Sequence, residues 1–400
     1  MNLILIEALT FGLGRLTEAA KDLGIHLYLL TYNRSIYEYE LSKIESEHLT
    51  VVDIDTFNID SIVDYAKSLD DLKGVVNLTD TWTHVSVQVN ERLGLVGQNP
   101  ESVLIARNKD LLRKTLIDNN LTTGQYMLLE VDSIDKSTLT SIRYPVIVKD
   151  PSGTGSKNVW LATDKQNLLM LLTDIKDNPD SPEKLLLETY FTGTLYSAET
   201  LSYAGETRLI SISSRILSDV PLFMEKAISL PVETEGTELA SVEGWIKKVL
   251  NSISYTDGFA HTEFVVTSDG LEVIEINPRL GGVQIGESLC KAFNSNIYSA
   301  YIEMGIGQKP ALLNEELTKH TSVGQVCLYA KETGKFKRID DTLVNDEKCR
   351  VYPCAKRGKE ILKLNDQSAC VAILTSEGET SEIALLNAIA ESNRVIVEME

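Results

Sequence analysis

Positive charge is in short supply in this chain. Its 400 residues carry 38 lysines and arginines against 58 aspartates and glutamates, a formal net charge of −20 at pH 7. Binding a phosphate backbone needs a basic face, so nucleic acid is not an expected partner. Cysteine is sparse: Cys290, Cys327, Cys349, Cys354 and Cys370 contain no C-x-x-C pair and are odd in number, which speaks against a disulfide framework. They read as small buried hydrophobes. No run of about eighteen apolar residues is present, so neither a membrane-spanning helix nor a membrane partner is expected. The first residues, Met1-Asn2-Leu3-Ile4-Leu5-Ile6-Glu7, lack a basic leader and meet an acid at once. They read as a strand rather than a signal peptide, and the expected compartment is the cytoplasm.

What is present is an alternation of strand-like and helix-like stretches. Leu3–Ile6 is an apolar run, 15–23 has helical spacing through Leu16, Ala19, Ala20 and Leu23, Gly24 stops it, and 25–30 reads as a second strand. With helix-like 59–69 and strand-like 74–78, the first hundred residues read as a small open α/β domain. Residues 101–120 read as one helix. Strand formers fill 196–230, a β-hairpin is expected over 259–277, and from about 321 short strands precede a helix near 381–391 and a last strand at 394–398. No internal repeat and no low-complexity segment is seen.

Gly12-Leu13-Gly14 after the first strand invites a dinucleotide reading. The third glycine of that fingerprint is replaced by Thr17, and the end of the second strand, Thr31-Tyr32-Asn33-Arg34, offers no acid for a ribose. A tight strand-to-helix turn accounts for the glycines, and NAD or FAD is not expected.

The hairpin carries more chemistry. A three-residue loop Ser268-Asp269-Gly270, with Thr267 opposite Leu271, sets Glu263 opposite Glu275 and His261 opposite Asn277. Side chains alternate with period two, so these four share one face and Phe264, Ile274 and Ile276 share the other. Two directly opposed carboxylates repel; a bound cation reverses that sign. Two carboxylates and an amide oxygen suit Mg²⁺, with substrate phosphates completing its shell. Arg279 follows closely enough to clamp a phosphoryl oxygen, and Gly281-Gly282 would let backbone approach a ligand. A solvated hairpin is the alternative, and His261 by itself reads as readily as a packing residue as a catalyst.

Upstream, the apolar strand Pro145–Lys149 runs into Ser152-Gly153-Thr154-Gly155-Ser156, a flexible run of N–H groups and hydroxyls of the kind that covers phosphates. The P-loop spacing is missing, so Lys149 is either a solvated strand end or a phosphate ligand.

Taken in order, these pieces resemble the ATP-grasp superfamily over roughly residues 1–310. Leu93-Gly94-Leu95-Val96-Gly97 and Arg107-Asn108-Lys109-Asp110-Leu111-Leu112-Arg113 resemble its entry into the ATP-binding fold, which makes Lys109 the first nucleotide-binding lysine. Tyr144–Lys149 resembles the second lysine strand, and Ser152, Gly153, Gly155 and Ser156 resemble the mobile loop over the triphosphate. Leu185–Gly193 resembles the hinge whose backbone reads adenine, with Glu188, Tyr190 and Phe191 among the ATP-binding residues. Glu263, Glu275 and Asn277 match the magnesium ligands and Arg279 the phosphate-stabilising arginine. Where the family often has a ribose-binding acid, this chain has Leu195, with Glu199 nearby.

The resemblance implies an α/β, ATP-grasp fold: a Rossmann-like domain over 1–100, a linker helix and small α+β lid over 101–190, a catalytic subdomain over 191–310, and a strand-rich C-terminal extension over 311–400. Within the superfamily the likeness runs to L-amino-acid (dipeptide) ligases, through Ser213-Ser214-Arg215, Pro221–Glu225 and His261–Phe264. It implies ATP and Mg²⁺, or Mn²⁺ in its place, as cofactors. The implied reaction activates a carboxylate as an acyl-phosphate and couples it to an amine. Arg279, Glu225 and Arg215 are the implied catalytic and recognition residues, with Glu287 a further candidate. Small-molecule carboxylates and amines are the expected partners, and a homodimer is expected by analogy. A carboxylase or purine-pathway ligase on the same scaffold, and an ATP-binding regulator without catalysis, are the rival readings.

Overall fold

The computed structural model describes residues 1–45, 47–133, 138–153, 155–178, 181–345 and 347–400. Strands β1 (Asn2–Ile6), β2 (His26–Thr31), β3 (Leu49–Asp53) and β4 (Leu72–Val76) form a parallel sheet in the order β3-β2-β1-β4. Leu3 to Ile6 are wholly buried, as expected of a parallel strand covered on both faces. Helices α1 (Leu13–Asp22), α2 (Glu38–Leu41), α3 (Ile59–Lys67) and α4 (Thr83–Leu93) accompany the sheet. The expected β-strand, helix, β-strand start is therefore present. Gly12 has φ 103°, a Cβ there would meet the Tyr298 ring, and α1 begins at the next residue. The Gly12 pair thus serves a tight turn and a close contact.

The single helix expected over 101–120 is two: α5 (Pro100–Arg107) and α6 (Lys109–Asp118). Asn108 leaves helical geometry at φ −112°, ψ 107°, and its side chain accepts from the N–H groups of Asp110 and Leu111 at 3.0 and 3.1 Å. An N-cap in mid-run restarts the helix in a new direction, which apolar spacing alone does not reveal.

Next come β5 (Tyr126–Glu130), β6 (Val146–Lys149), β7 (Val159–Ala162), α7 (Lys165–Lys176) and β8 (Lys184–Thr189). The four strands form a separate sheet in the order β5-β8-β6-β7, packed on α7 around Val148, Leu168, Leu172 and Leu187. The chain then builds β9 (Thr194–Tyr203), β10 (Glu206–Leu217), β11 (Glu225–Leu230), α8 (Val242–Ser252), β12 (Gly258–Thr267) and β13 (Gly270–Asn277). Helices α9 (Ile285–Phe293) and α10 (Ser299–Gly305) lead to β14 (Ser322–Tyr329), β15 (Gly334–Asp340), β16 (Cys349–Pro353), β17 (Glu360–Ile361), β18 (Cys370–Gly378), α11 (Ser381–Ser392) and β19 (Ile396–Met399).

The strand-rich C-terminal stretch does not stand apart from the catalytic sheet. β14, β18 and β16 extend it, giving the eight-stranded order β13-β12-β9-β10-β11-β14-β18-β16, while β17, β15 and β19 form a small sheet of their own. No helix among the described residues is long and apolar enough to cross a membrane.

Candidate active site

The hairpin pairs Glu263 with Glu275 and His261 with Asn277, as its sequence suggests, but by a different route. The turn is tighter than expected: Thr267 pairs with Gly270, and Val266 with Leu271. Gly270, at φ 130°, opens β13 directly instead of closing a three-residue loop. A β-bulge between Glu263 and Phe264 then absorbs the one-residue offset. Its cost falls on Ile274, which was expected in the core with Phe264. Val273 takes that place opposite Phe264, and Ile274 faces the cavity.

That cavity, of about 720 Å³, lies between the small β5–β8 sheet and the large sheet. It gathers Lys109, Lys149, Gly153, Gly155, Ser156, Glu188, Tyr190, Phe191, Arg215, Glu225, Glu263, Glu275, Asn277 and Arg279. Of the residues anticipated for ATP, metal and substrate, Ser152 and the further candidate Glu287 are missing from its lining. The Ser152 hydroxyl and N–H both turn back onto Asp150 Oδ1, at 2.9 and 2.8 Å. Thr154 lies outside the described residues. Glu287 is also elsewhere, 3.5 Å from Arg15. Leu195 lines the cavity where a ribose-binding acid was looked for.

On the wall formed by the small sheet, Lys149 is buried at the end of β6 and paired with Glu188 of β8. Arg113 from α6 binds the other Glu188 oxygen at 3.0 Å. Burial works against the Glu188 charge, but Lys149 and Arg113 outweigh it and hold the carboxyl below its usual range. Burial, against the attraction of Glu188, brings the Lys149 ammonium below its ordinary value, with Lys109 and Arg113 adding to the effect. The Glu188 carboxylate is thus committed to the two cations. Lys109 donates to the Gly153 carbonyl at 2.5 Å and stands 3.6 Å from Glu275. It therefore ties the glycine loop to the hairpin. Ser156 donates to the Phe223 carbonyl at 2.7 Å, which docks the far end of that loop on the β10–β11 connection.

Glu263, Glu275 and Asn277 could offer only oxygen to a cation. Glu275 accepts from the Asn277 amide at 2.9 Å, and Arg107 donates to Asn277 Oδ1 at 3.2 Å. Among the described residues no three His, Cys, Asp or Glu side chains make a metal cluster by themselves. Two carboxylates with one amide oxygen leave positions for phosphate oxygens, the donor set that fits Mg²⁺.

A chain of alternating charges runs along the other wall. Glu199, directly across from His261 on β9, holds its Nδ1 and also accepts the Gly281 N–H at 2.8 Å. Burial opposes a charge on His261, but Glu199 and Glu263 prevail and push it up to about 9. Arg215 contacts Glu263 and His261, the latter at 3.1 Å, and pairs with Glu225. Burial pushes Glu225 up to about 7, against Arg215 and with the help of Glu263. One of its oxygens, Oε1, is buried with no hydrogen-bond partner.

Sequence reasoning missed Asp80, Arg107, Arg113 and the structural role of Glu199. Asp80 reaches the cavity from the loop after β4 and pairs with Arg279, with Arg107 at 3.3 Å. Arg107 and Arg113 flank Lys109 in a segment that already stood out. Glu199 and Asp80 lie on segments without any motif, so only the assembled sheet brings them in.

Residues 142–287 match the family profile of the ATP-grasp domain. The chain is 24% identical over 345 residues to the uncharacterized protein y4rH of Sinorhizobium fredii, covering 84% of this chain and 70% of that one. It is 21% identical to human carnosine synthase 1 over 78% of its own length but spans only 40% of that protein. The crystal structure of an L-amino acid ligase from Bacillus licheniformis superposes with a TM-score of 0.82 at 19% identity, covering 100% of this chain and 98% of that one. The profile match identifies residues 142–287 as an ATP-grasp domain, and the fold of the whole chain is shared with that ligase.

Proposed function

We propose that this chain is an ADP-forming, ATP-dependent ligase that joins a carboxylate to an amine, with an amino acid as the activated acid and a second amino acid as the amine. One observation carries the reading: a single cavity collects the paired lysines, the oxygen-donor trio, Arg279 and the Arg215–Glu225 wall. Similarity to carnosine synthase and to an L-amino acid ligase supports the same class.

In this reading, Lys109 and Lys149 balance phosphate charge, and Arg279 meets the transferred phosphoryl group. Glu263, Glu275 and Asn277 would hold Mg²⁺, which supplies charge neutralisation at the phosphate oxygens. A substrate carboxylate oxygen attacks the γ-phosphorus, ADP leaves, and an acyl-phosphate remains. The amine then attacks the acyl carbon, gives up its proton, and phosphate departs. Gly153 and Gly155 belong to the loop that would cover the phosphates, and excluding water there protects an intermediate that water would destroy. The unpartnered Glu225 oxygen is suited to a substrate ammonium, and Arg215 to a substrate carboxylate. Phe223, Ile228, Val283 and Ile285 add apolar surface beside them.

The test is phosphate release from MgATP against single amino acids and amino-acid pairs, with mass detection of products. Pair-dependent release with a product lighter by one water supports the ligase. ATP turnover with bicarbonate alone would replace it with a carboxylase, and ATP binding without any turnover would replace it with a regulator.

A further inference from the structure

We propose that Asp80 is the positioning residue for Arg279, holding that guanidinium where it meets the transferred phosphoryl group and so joining the N-terminal sheet to the reacting centre. The proposal rests on the ligase reading above.

The local sequence explains how Asp80 reaches so far. Asn77, just past β4, folds its own loop: its Oδ1 accepts from the Thr79 N–H at 3.1 Å and the Thr79 hydroxyl at 2.8 Å, and its Nδ2 donates to the Thr79 carbonyl at 2.6 Å. The Thr83 hydroxyl in the first turn of α4 donates to the same carbonyl at 2.7 Å. The loop is thus rigid on both sides of Asp80. It leaves the carboxyl end of a parallel strand, where open α/β sheets present functional groups.

The carboxylate meets Arg279 through Oδ2 and stands 3.3 Å from Arg107 through Oδ1. Asp80, Arg107 and Arg279 expose only 15%, 14% and 13% of their side chains. Arg279 is held a second time, by the Leu280 carbonyl at 2.7 Å from Nη1. Two acceptors at two nitrogens fix the plane of a guanidinium, whose long side chain would otherwise sample many rotamers. Arg107 carries the link onward to Asn277 Oδ1 at 3.2 Å. Arg279 and Arg107 prevail over burial and keep the Asp80 carboxyl below its usual range, so it is charged at neutral pH. A surface tether between domains would not need a carboxylate within the cavity, yet Asp80 lines it.

The test is a double-mutant cycle with Asp80→Asn, Asp80→Glu and Arg279→Met, read in two ways. The first is kcat and KM for the ligase reaction. The second is the affinity ratio for the Mg²⁺ complexes of a non-hydrolysable ATP analogue and of ADP, measured by calorimetry, which needs no turnover. Asp80→Asn should lower kcat by roughly 10- to 100-fold with little change in KM for ATP, the size usual for loss of a group that orients another. It should lower the affinity ratio in the same direction as Arg279→Met, and Asp80→Glu should recover part of the loss. In the Arg279→Met background, Asp80→Asn should add less than about 2-fold. Equal losses with and without Arg279 would overturn the proposal. So would an affinity ratio that falls in Arg279→Met and not in Asp80→Asn. An affinity ratio unchanged by Arg279→Met would overturn the proposal by removing the contact it serves. A normal cycle in the affinity ratio with no ligase turnover would uphold the positioning role and reject the ligase reading alone.

Discussion

Glu263 and Glu275 are direct partners in the register of β12 and β13. Each is partnered by a different cation, Arg215 for Glu263 and Lys109 for Glu275. A further cation entering between them would offset whatever repulsion those partners leave. Replacing Glu275 by Gln should raise the Mg²⁺ concentration needed for half-maximal turnover by at least about 10-fold, and calorimetric Mg²⁺–nucleotide binding should weaken in parallel. Unchanged Mg²⁺ dependence in both assays would remove Glu275 from the metal site.

Glu188 is the pivot of the Lys149–Arg113 cluster. Its side chain is 4% exposed and neutralises two buried cations, Lys149 and Arg113. Removing its charge leaves both uncompensated, so Glu188→Gln should cost about 3–5 kcal/mol of folding stability. The pH dependence has a definite sign. Glu188 has a folded pKa below its unfolded value, so its contribution is complete above about pH 4.3 and is lost as pH falls through the lower folded value. The stability gap between the wild type and Glu188→Gln should stay constant from pH 7 to about 5 and shrink below that. Denaturant titrations across this range measure it. A gap that grows with acid would contradict the ion triad.

Asn108 separates α5 from α6 and sits between Arg107, which contacts Asp80 and Asn277, and Lys109, which lines the cavity. Asn108→Ala should cost about 1 kcal/mol through loss of the cap. It should also lower turnover beyond what that stability loss explains, since a continuous helix would misdirect both cations. Thermal unfolding and kcat at a temperature well below the transition separate the two effects. Full activity with reduced stability would confine Asn108 to capping.

Much of this site can be read from residues alone, and the reason is periodicity. Glu263, Glu275 and Asn277 lie on a hairpin whose alternation places them on one face, and Lys149 ends an apolar strand before a glycine run. Short-range pattern carries that information. The bulge beside Glu263 does not register in any pattern, because two compensating offsets leave the ends of the hairpin unchanged while inverting Ile274. Asp80 and Glu199 become visible only when distant strands meet, Glu199 by pairing β9 with β12 and Asp80 by docking of the N-terminal sheet. The extension of the large sheet by β14, β18 and β16 has the same origin. Those strands look like any strand-rich tail until β11 accepts them as neighbours.

The central claim is that one cavity activates a carboxylate with ATP and delivers it to an amine. Phosphate release from MgATP, followed against amino-acid pairs with mass detection of the products, tests it most directly. Release should require both partners, with a product lighter than the pair by one water, and that product should be lost in Arg279→Met. Phosphate release independent of any amine, or a full complement of bound ATP with no release in the presence of every pair, would contradict it.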